Sequence, residues 1–264
     1  MKMLDTAAFR ARVMAGQTAL LQEKQAGWRI QWRNDGYDYP GLLNKFRSGA
    51  LKGACLTTGS RFREVYRLEA DGRKFVIKRD WEVDPRLEKK LWDWLGGTAY
   101  HRLIKFTTRA VLKGCQVAQD VYMVAERISG GRCLEAWLVA EYVEGQSFIR
   151  KFEDGQPAEV LEGFDQYVPQ MNETLERLHD CGLASNDVHP GQFILTEEGL
   201  RIIDLSLDGP MIVCQVNDAL TMMHFFKARP PLGNPWRRLL FELLTLRRRF
   251  KNYYRDRRKQ SGAG

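Results

Sequence analysis

Residues 178–207 read LHDCGLASNDVHPGQFILTEEGLRIIDLSL, and this stretch decides how the rest of the chain is interpreted. Two short apolar runs, at residues 193–195 and 200–203, flank a Glu-Glu-Gly turn, which is the pattern of a β-hairpin. A polar loop that contains Asp187 and Gln192 comes directly before the first run. The sequence therefore predicts a loop, two antiparallel strands and a sharp chain reversal.

Asp204 directly follows the second strand of this hairpin. Because the hairpin reverses the chain, we expect Asp204 to return beside the loop that holds Asp187 and Gln192. Phosphoryl transfer needs such a group: one carboxylate accepts the proton of the attacking hydroxyl, while a second carboxylate and an amide oxygen hold Mg²⁺ against the nucleotide phosphates. An ordinary polar loop explains either aspartate alone, but the joint spacing favours phosphoryl transfer.

The loop resembles the catalytic loop of the protein-kinase-like fold. His189, two residues after Asp187 and followed by Pro-Gly, is closer to the small-molecule kinase pattern H-x-D-x-H-x-G-N than to the protein-kinase pattern H-R-D-L-K-P-E-N. The resemblance implies an α+β, two-lobed fold with a small antiparallel sheet in the N-lobe and a reduced, mainly helical C-lobe.

Strand signals are clear between residues 54 and 78, where alternating runs are separated by an Ala-Asp-Gly-Arg turn. Three antiparallel strands that end in a lysine resemble the start of a kinase N-lobe, which implies that Lys78 reaches the nucleotide phosphates. The turn at residues 57–61 would then lie over the phosphates through Gly59 and Ser60. It has one glycine where protein kinases have three, although the amides of a tight turn can still bind phosphate.

A helical glutamate would pair with Lys78 in a fold of this kind. Residues 85–113 are predicted to be helical with a break at Gly96-Gly97, and Glu88 is the candidate because it is the only glutamate between Glu82 and Glu126. If the functional helix instead starts after the break, no glutamate is available and His101 occupies that region.

Two further strands are predicted at residues 122–127 and 135–143, joined by Ser-Gly-Gly. On the kinase-like interpretation, the backbone of Glu141 and Val143 would contact adenine at the exit of the second strand. A generic strand-to-loop exit would have the same residues.

Apolar residues at helical spacing predict a helix over residues 164–178, with Pro169 in its first turn or marking its start. His179 at its end is interpreted as a packed structural residue. Only sixty residues follow Asp204, which is too few for the activation segment and helices that dock a peptide in protein kinases. A small or carbohydrate acceptor is therefore expected.

The flanking segments complete the domain organisation. Residues 4–25 are predicted to form an amphipathic helix that stops at Gly27, followed by an irregular connection. We expect residues 1–52 to form this helix and connection, residues 53–143 the N-lobe, and residues 144–264 the C-lobe with a basic C-terminal helix.

Composition restricts the class of protein. The 264 residues are 44% hydrophobic and 28% charged, as in a folded domain. Five scattered cysteines form no C-x-x-C pair and indicate reduced thiols in a cytosolic protein. We find neither an export signal nor an apolar run of about 18 residues that could span a membrane.

The net charge of +8 is concentrated near the C-terminus. Residues 227–259 hold twelve basic and two acidic residues, and the aromatic and leucine residues at 236–254 alternate with arginines. Such a helix can lie on an anionic membrane surface, where each basic residue adds about 1 kcal/mol. A C-lobe helix with a solvated face explains the same pattern. We expect no nucleic-acid partner, because no recognised module accompanies the charge.

The runs SNDVHPGQFILTEEGLRIIDLS, VYMVAERISGG and VAEYVEG, with the compact basic C-terminus, are similar to the bacterial lipopolysaccharide core heptose kinases, particularly the heptose II kinase. The resemblance covers about residues 34–260. It implies transfer of the ATP γ-phosphate to a heptose hydroxyl of the lipopolysaccharide inner core, at the cytoplasmic face of the inner membrane. It also implies that Asp187 is the catalytic base, Asp204 an Mg²⁺ ligand and Lys78 a phosphate-binding residue, with His189 facing the phosphate or the acceptor.

Gln192 departs from the family pattern, which has asparagine at the fifth position after Asp187. Both side chains offer an amide oxygen, but glutamine is longer and loses more rotamer freedom on binding. Three alternatives remain open: another sugar or small-molecule kinase of the same fold, a nucleotide-binding pseudokinase, and a nucleic-acid-binding protein. The sequence does not indicate an oligomeric state.

Overall fold

The computed structural model describes residues 6–56, 62–81, 97–129, 132–150, 159–160, 163–186, 188–226 and 235–246. The elements of the first half are α1 (Thr6–Met14), β1 (Leu20–Gln25), β2 (Trp28–Arg33), α2 (Tyr39–Arg47), β3 (Ala54–Cys55), β4 (Arg63–Ala70), β5 (Arg73–Trp81), α3 (Ala99–Leu112), β6 (Val121–Ser129) and β7 (Arg132–Glu141). The second half contains β8 (Gln146–Ser147), β9 (Ile149–Arg150), β10 (Glu159–Val160), α4 (Val168–Asp180), β11 (Phe193–Thr196), β12 (Gly199–Ile202), α5 (Met211–Phe226) and α6 (235–246). Short 3₁₀ helices at Phe164–Tyr167 and Pro190–Gln192 precede α4 and β11.

Seven strands form one antiparallel sheet in the order β1-β2-β6-β7-β5-β4-β3. Side chains alternate between the faces of a strand, so Phe75 and Ile77 of β5 lie on one face and Lys78 on the other. The first face packs against helix α2 and is fully buried at Phe75 and Ile77. Lys78 lies between Val65 of β4 and Leu138 of β7, on the face that is turned towards the helical half.

The predicted helix over residues 4–25 is wrong after Met14. Residues 20–25 instead form strand β1, which pairs with β2 from Leu20↔Arg33 to Gln25↔Trp28. The two residues between the strands, Ala26 and Gly27, have φ angles of 46° and 81°, the backbone of a tight hairpin turn. Gly27 is therefore a turn residue and not a helix stop, and the sheet begins inside residues 4–25, which the sequence assigns to a helix.

Several predicted elements are confirmed. The hairpin after the polar loop is β11–β12, with Phe193 opposite Ile202. Strands β6 and β7 pair on either side of the Ser-Gly-Gly segment. Helix α4 has Pro169 in its first turn, so this proline marks the start of the helix. The predicted boundary between the two lobes, at residues 143 and 144, stays a prediction.

One hydrophobic core joins the sheet to the helical half. It contains Ile104 of α3, Leu138 of β7, Leu175 of α4 and Phe193 of β11, of which Ile104, Leu175 and Phe193 are 0% exposed. Because this core is shared, residues at the end of β5 and residues after β12 are held at fixed positions relative to each other. Among the described helices, none is both long enough and apolar enough to cross a membrane.

Candidate active site

Lys78 and Asp204 meet between the sheet and the helical half. The Nζ atom of Lys78 lies 2.6 Å from Oδ1 of Asp204, although 126 positions separate the two residues. The side chain of Lys78 is 13% exposed and that of Asp204 is 44% exposed. The lysine is therefore held by the sheet, and the carboxylate is accessible to a ligand; the place where the two side chains meet, between the sheet and the helical half, is called the cleft.

The backbone of Asp204 is fixed by Gln119, which lies just before β6. Asp204 has a φ angle of 59°, a left-handed conformation that is uncommon for a residue with a side chain. Its N–H donates to Oε1 of Gln119 at 3.1 Å, and Nε2 of Gln119 donates to the carbonyl oxygen of Glu141 at 2.7 Å. One buried amide thus connects the end of β7 to the cleft carboxylate. No motif in the sequence indicates this residue.

The pKa of Asp204 is lowered by its surroundings. Burial acts to raise it, but the charge and hydrogen bond of Lys78, together with the charge of Arg63, outweigh burial. Asp204 is therefore a carboxylate at neutral pH and an oxygen ligand ready for a cation.

Gln192 lies beside Asp204, as the sequence predicts. Its carbonyl oxygen accepts from the N–H of Ile203 at 2.9 Å, and its side-chain Oε1 accepts from Oγ of Ser185 at 2.7 Å. An amide oxygen has two lone pairs, so Oε1 can bind a metal ion while it keeps the bond from Ser185. The carboxylate of Asp204 and this amide oxygen are hard oxygen ligands, which suits Mg²⁺. The described residues contain no cluster of three or more His, Cys, Asp or Glu side chains that could hold a metal ion.

His189 is the N-cap of the 3₁₀ helix that contains Gln192. Its Nδ1 accepts a hydrogen bond from the N–H of Gly191 at 3.1 Å. A neutral imidazole that accepts at Nδ1 carries its proton on Nε2, so this geometry assigns the donor to Nε2. His189 can therefore offer one N–H to an anionic oxygen near Asp204.

The polar loop is anchored by Asp218 of α5. Oδ2 of this fully buried carboxylate accepts from the N–H of Ser185 at 2.9 Å and lies 3.0 Å from Nε2 of His179. Burial raises the pKa of Asp218, and the contacts with His179 and the loop amides only partly oppose this. His179 is thus a packed structural residue, as predicted. No sequence motif predicts the role of Asp218, although a polar Gln-Val-Asn-Asp run within an apolar helix is a usable signal.

A second bond from α5 holds the residue just before the predicted base. Nδ2 of Asn217 donates to Oδ1 of Asn186 at 3.1 Å, and Asn186 has a φ angle of 68°. The loop is therefore fixed at Ser185 and Asn186 by side chains of one helix. Asp187 itself lies outside the described residues.

The exit of β7 contains the two residues predicted to contact adenine. Both backbone groups of Glu141 are engaged: its N–H donates to the carbonyl oxygen of Asp120, and its carbonyl oxygen accepts from Gln119. Its carboxylate accepts two hydrogen bonds of 2.6 Å from Arg201. Val143 forms no backbone hydrogen bond with any residue that the structure describes. The backbone of Val143 is thus the more open of the two.

The helix that packs on the cleft side of the sheet is α3, and it starts after Gly97. It contains no glutamate. Its Tyr100 instead donates from its hydroxyl to Asp80, two residues after Lys78 on β5. The predicted partner of Lys78, Glu88, and the predicted phosphate-binding residues Gly59 and Ser60 lie in the parts of the chain that are not described.

The chain is similar to known proteins over most of its length. Residues 20–260 match the model of the family described as lipopolysaccharide core biosynthesis protein (WaaY). The chain is 24% identical over 217 residues to the lipopolysaccharide core heptose(II) kinase WaaY of Escherichia coli strain K12, covering 82% of this chain and 88% of that protein. It is 31% identical over 180 residues to another Escherichia coli lipopolysaccharide core heptose(II) kinase WaaY, covering 68% and 74%.

Among solved structures, the chain is similar to WaaP in complex with acyl carrier protein. The TM-score is 0.44 at 17% sequence identity, over 90% of this chain and 93% of that chain. The antiparallel sheet and the helices of the structure confirm the α+β class predicted from the sequence.

Proposed function

Because the chain belongs to the lipopolysaccharide core biosynthesis protein (WaaY) family, we propose that it is a kinase that transfers the γ-phosphate of ATP to a heptose hydroxyl of the lipopolysaccharide inner core. The observation that carries the proposal is the contact between Lys78 and Asp204, which places a fixed cation beside a cleft carboxylate. The two Escherichia coli relatives, both core heptose(II) kinases, support the choice of acceptor.

Residues of the sheet would form the nucleotide-binding end of the cleft. Lys78 is held between β4 and β7 and presents its ammonium to the cleft as a point charge for phosphate. The backbone of Val143 is open to the adenine ring. Glu141 contributes differently, since its backbone bonds to Asp120 and Gln119 hold the exit of β7 in place.

Asp204 and Gln192 would hold Mg²⁺ through a carboxylate and an amide oxygen. When bound, the ion neutralises charge on the phosphate oxygens and orients them for in-line transfer. Asp204 stays ionised because of Lys78, and Ser185 fixes the rotamer of Gln192 through a 2.7 Å hydrogen bond. This bond offsets the additional rotamer freedom of glutamine relative to asparagine.

The acceptor end lies at the polar loop. Asp187 is proposed as the base that accepts the proton of the heptose hydroxyl. Its neighbours Ser185 and Asn186 are fixed by Asp218 and Asn217, which supports a rigid placement of the loop. The Nε2–H of His189 can bond a phosphate oxygen or the acceptor.

Helix α6 supports a peripheral position on the cytoplasmic face of the inner membrane. Phe241 packs against α5 and is 2% exposed, whereas four apolar residues on the helix are exposed: Trp236, Leu239, Leu243 and Leu246. Their spacings of three, four and three place them in one stripe. With the basic residues at 247–259 in the sequence, this stripe suits an anionic lipid surface that carries a lipid-linked acceptor.

The direct test is transfer of labelled phosphate to a panel of acceptors. The purified protein is incubated with Mg²⁺ and γ-labelled ATP, and with deacylated core oligosaccharide, an oligosaccharide that lacks heptose, or Kdo alone. We expect label only on the heptose-containing acceptor. Label on Kdo alone would favour another sugar kinase of this fold, and ATP binding without transfer to any acceptor would favour a pseudokinase.

A further inference from the structure

A row of paired residues crosses the cleft face of the sheet next to Lys78. In this row Arg63 of β4 lies opposite Asp80 of β5, and Val65 lies opposite Lys78. Residues paired across antiparallel strands point to the same face, so Arg63 and Asp80 share the face of Lys78. Arg63 and Lys78 are diagonal neighbours, about 7–8 Å apart at the backbone.

The guanidinium of Arg63 is held in a defined orientation. Its Nε donates to Oδ1 of Asp80 at 2.6 Å and its Nη2 donates to Oδ2 at 3.2 Å. The hydroxyl of Tyr100 on helix α3 also donates to Asp80, so a second element of the fold helps to hold the carboxylate. Asp80 is 13% exposed, whereas the side chain of Arg63 is 49% exposed. The guanidinium is therefore held in place through Nε and Nη2, while part of the side chain stays exposed.

The open part of Arg63 remains a donor. Its third nitrogen, Nη1, makes no hydrogen bond with any residue in the described ranges. Arg63 and Lys78 are diagonal neighbours on one face of the sheet, and Lys78 contacts Asp204 at 2.6 Å, so Arg63 lies on the part of the sheet that the carboxylate of Asp204 faces. Two cations, Lys78 and Arg63, thus flank the place where nucleotide phosphates would meet Asp204.

The sequence just before Arg63 indicates why a second cation would be needed for phosphate binding. Arg63 lies two positions after the turn predicted at residues 57–61, which contains a single glycine, Gly59. Fewer glycines allow fewer close approaches of backbone amides to phosphate. An arginine fork, which can bond a phosphate through more than one N–H, can replace some of those amides.

We propose that Arg63 binds the terminal phosphates of the nucleotide, and that Asp80 and Tyr100 are its positioning residues. The proposal rests on the proposed kinase function only in that it places a nucleotide in this cleft. An ordinary exposed ion pair would contribute little to folding stability and nothing to ligand affinity. The two alternatives therefore differ in what they predict for nucleotide binding.

The test measures binding of ATP, ADP and adenosine to the full chain by calorimetry. Arg63→Gln is expected to weaken ATP and ADP binding by about tenfold to a hundredfold, the effect of losing a charge-assisted hydrogen bond, and to leave adenosine binding unchanged. Arg63→Lys, which keeps the charge but loses the fork, is expected to give an intermediate loss and replaces Arg63→Gln if that variant does not fold.

The positioning residues and the control extend the test. Asp80→Asn and Tyr100→Phe should weaken ATP binding less than Arg63→Gln and again leave adenosine binding unchanged. Lys24→Gln removes an exposed charge at the opposite edge of the sheet, on β1, and should change nothing.

Two results would overturn the proposal: ATP affinity of Arg63→Gln equal to that of the wild type, or an equal loss for ATP and adenosine. The proposed kinase function fails separately, if the wild type binds ATP but labels no heptose acceptor. The comparison of Arg63 variants measures nucleotide binding alone. It therefore tests the role of Arg63 whether or not the protein labels a heptose acceptor.

Discussion

Lys78 Nζ lies 2.6 Å from Asp204 Oδ1, and this contact lowers the pKa of the carboxyl group in spite of its burial. Lys78→Met is expected to raise the pKa of Asp204, because the charge and the hydrogen bond of Lys78 are the strongest effects that oppose burial. Carbon-13 NMR titration of the aspartate carboxyl groups measures the change. Lys74→Met, on the same strand but paired with Glu144, is the control and should leave the pKa of Asp204 unchanged.

The lowered pKa of Asp204 makes the free energy of unfolding depend on pH. The folded-state pKa of Asp204 lies below the unfolded value of about 3.9, so the pair stabilises the fold above that pH. Its contribution is lost as the pH falls through the folded-state pKa. Because Asp204 is 44% exposed, we expect the contribution to be at most about 1 kcal/mol. Urea unfolding should show a difference between wild type and Lys78→Met at pH 7 that narrows towards pH 3; a constant difference would contradict this account.

Gln119 connects the exit of β7 to the backbone of Asp204. Gln119→Leu removes both hydrogen bonds, so Asp204 loses the acceptor that holds its left-handed backbone. We expect a lower kcat and a higher Mg²⁺ concentration at half-maximal activity, with a smaller change in KM for ATP. Gln119→Glu keeps an acceptor for the N–H of Asp204. Its kcat and its Mg²⁺ requirement should therefore lie between those of the wild type and those of Gln119→Leu. A loss of stability without any change in Mg²⁺ dependence would limit Gln119 to a structural role.

Asp218 anchors the loop before Asp187. Asp218→Ala leaves the N–H of Ser185 and the ring of His179 without their buried acceptor, so the free energy of unfolding should fall by about 3–5 kcal/mol. We expect kcat to fall as well, because the loop loses its fixed position. Asp218→Asn keeps one acceptor oxygen and should be affected less.

Asp165→Ala, at an exposed position before α4, is the matched control for Asp218. It should change neither stability nor kcat by much. Denaturant unfolding and steady-state kinetics measure both variants. An Asp218→Ala protein with unchanged kcat would show that the loop is held by other contacts.

The exposed stripe of α6 predicts membrane association. Leu243→Glu places a charge on a surface that is 53% exposed at this residue, so folding should be unaffected while binding to vesicles containing anionic lipid falls. Co-sedimentation with vesicles measures the loss. Leu134→Glu changes an exposed leucine of the sheet and is the control. Equal binding of wild type and Leu243→Glu would exclude the stripe as the contact.

Local patterns allowed much of the catalytic half to be predicted. The β11–β12 hairpin, the start of α4 at Pro169 and the proximity of Gln192 to Asp204 follow from apolar spacing and turn residues that are close in sequence. Strand β1 was missed because its sequence, LLQEKQ, has mostly exposed side chains and lacks the apolar alternation of a half-buried strand. Its turn also places Ala26, and not only a glycine, at a positive φ angle.

The site residues that the sequence does not predict escaped prediction for a different reason. Gln119 and Asp218 act on residues 85 and 33 positions away, and a buried polar side chain has no sequence pattern that names its partner. Arg63 was missed for the same reason, because its role depends on the register of β4 and β5. These contacts are determined by tertiary packing, which spacing alone does not specify.

The proposed phosphoryl transfer to a heptose depends on Asp187 and Asp204. Its most direct test is transfer of γ-labelled phosphate to deacylated core oligosaccharide by wild type, Asp187→Ala and Asp204→Asn, with circular dichroism to show that all three are folded. We predict label on the sugar with wild type and a loss of at least about a hundredfold in each variant. A folded Asp187→Ala or Asp204→Asn protein that transfers label at the wild-type rate would contradict the assignment.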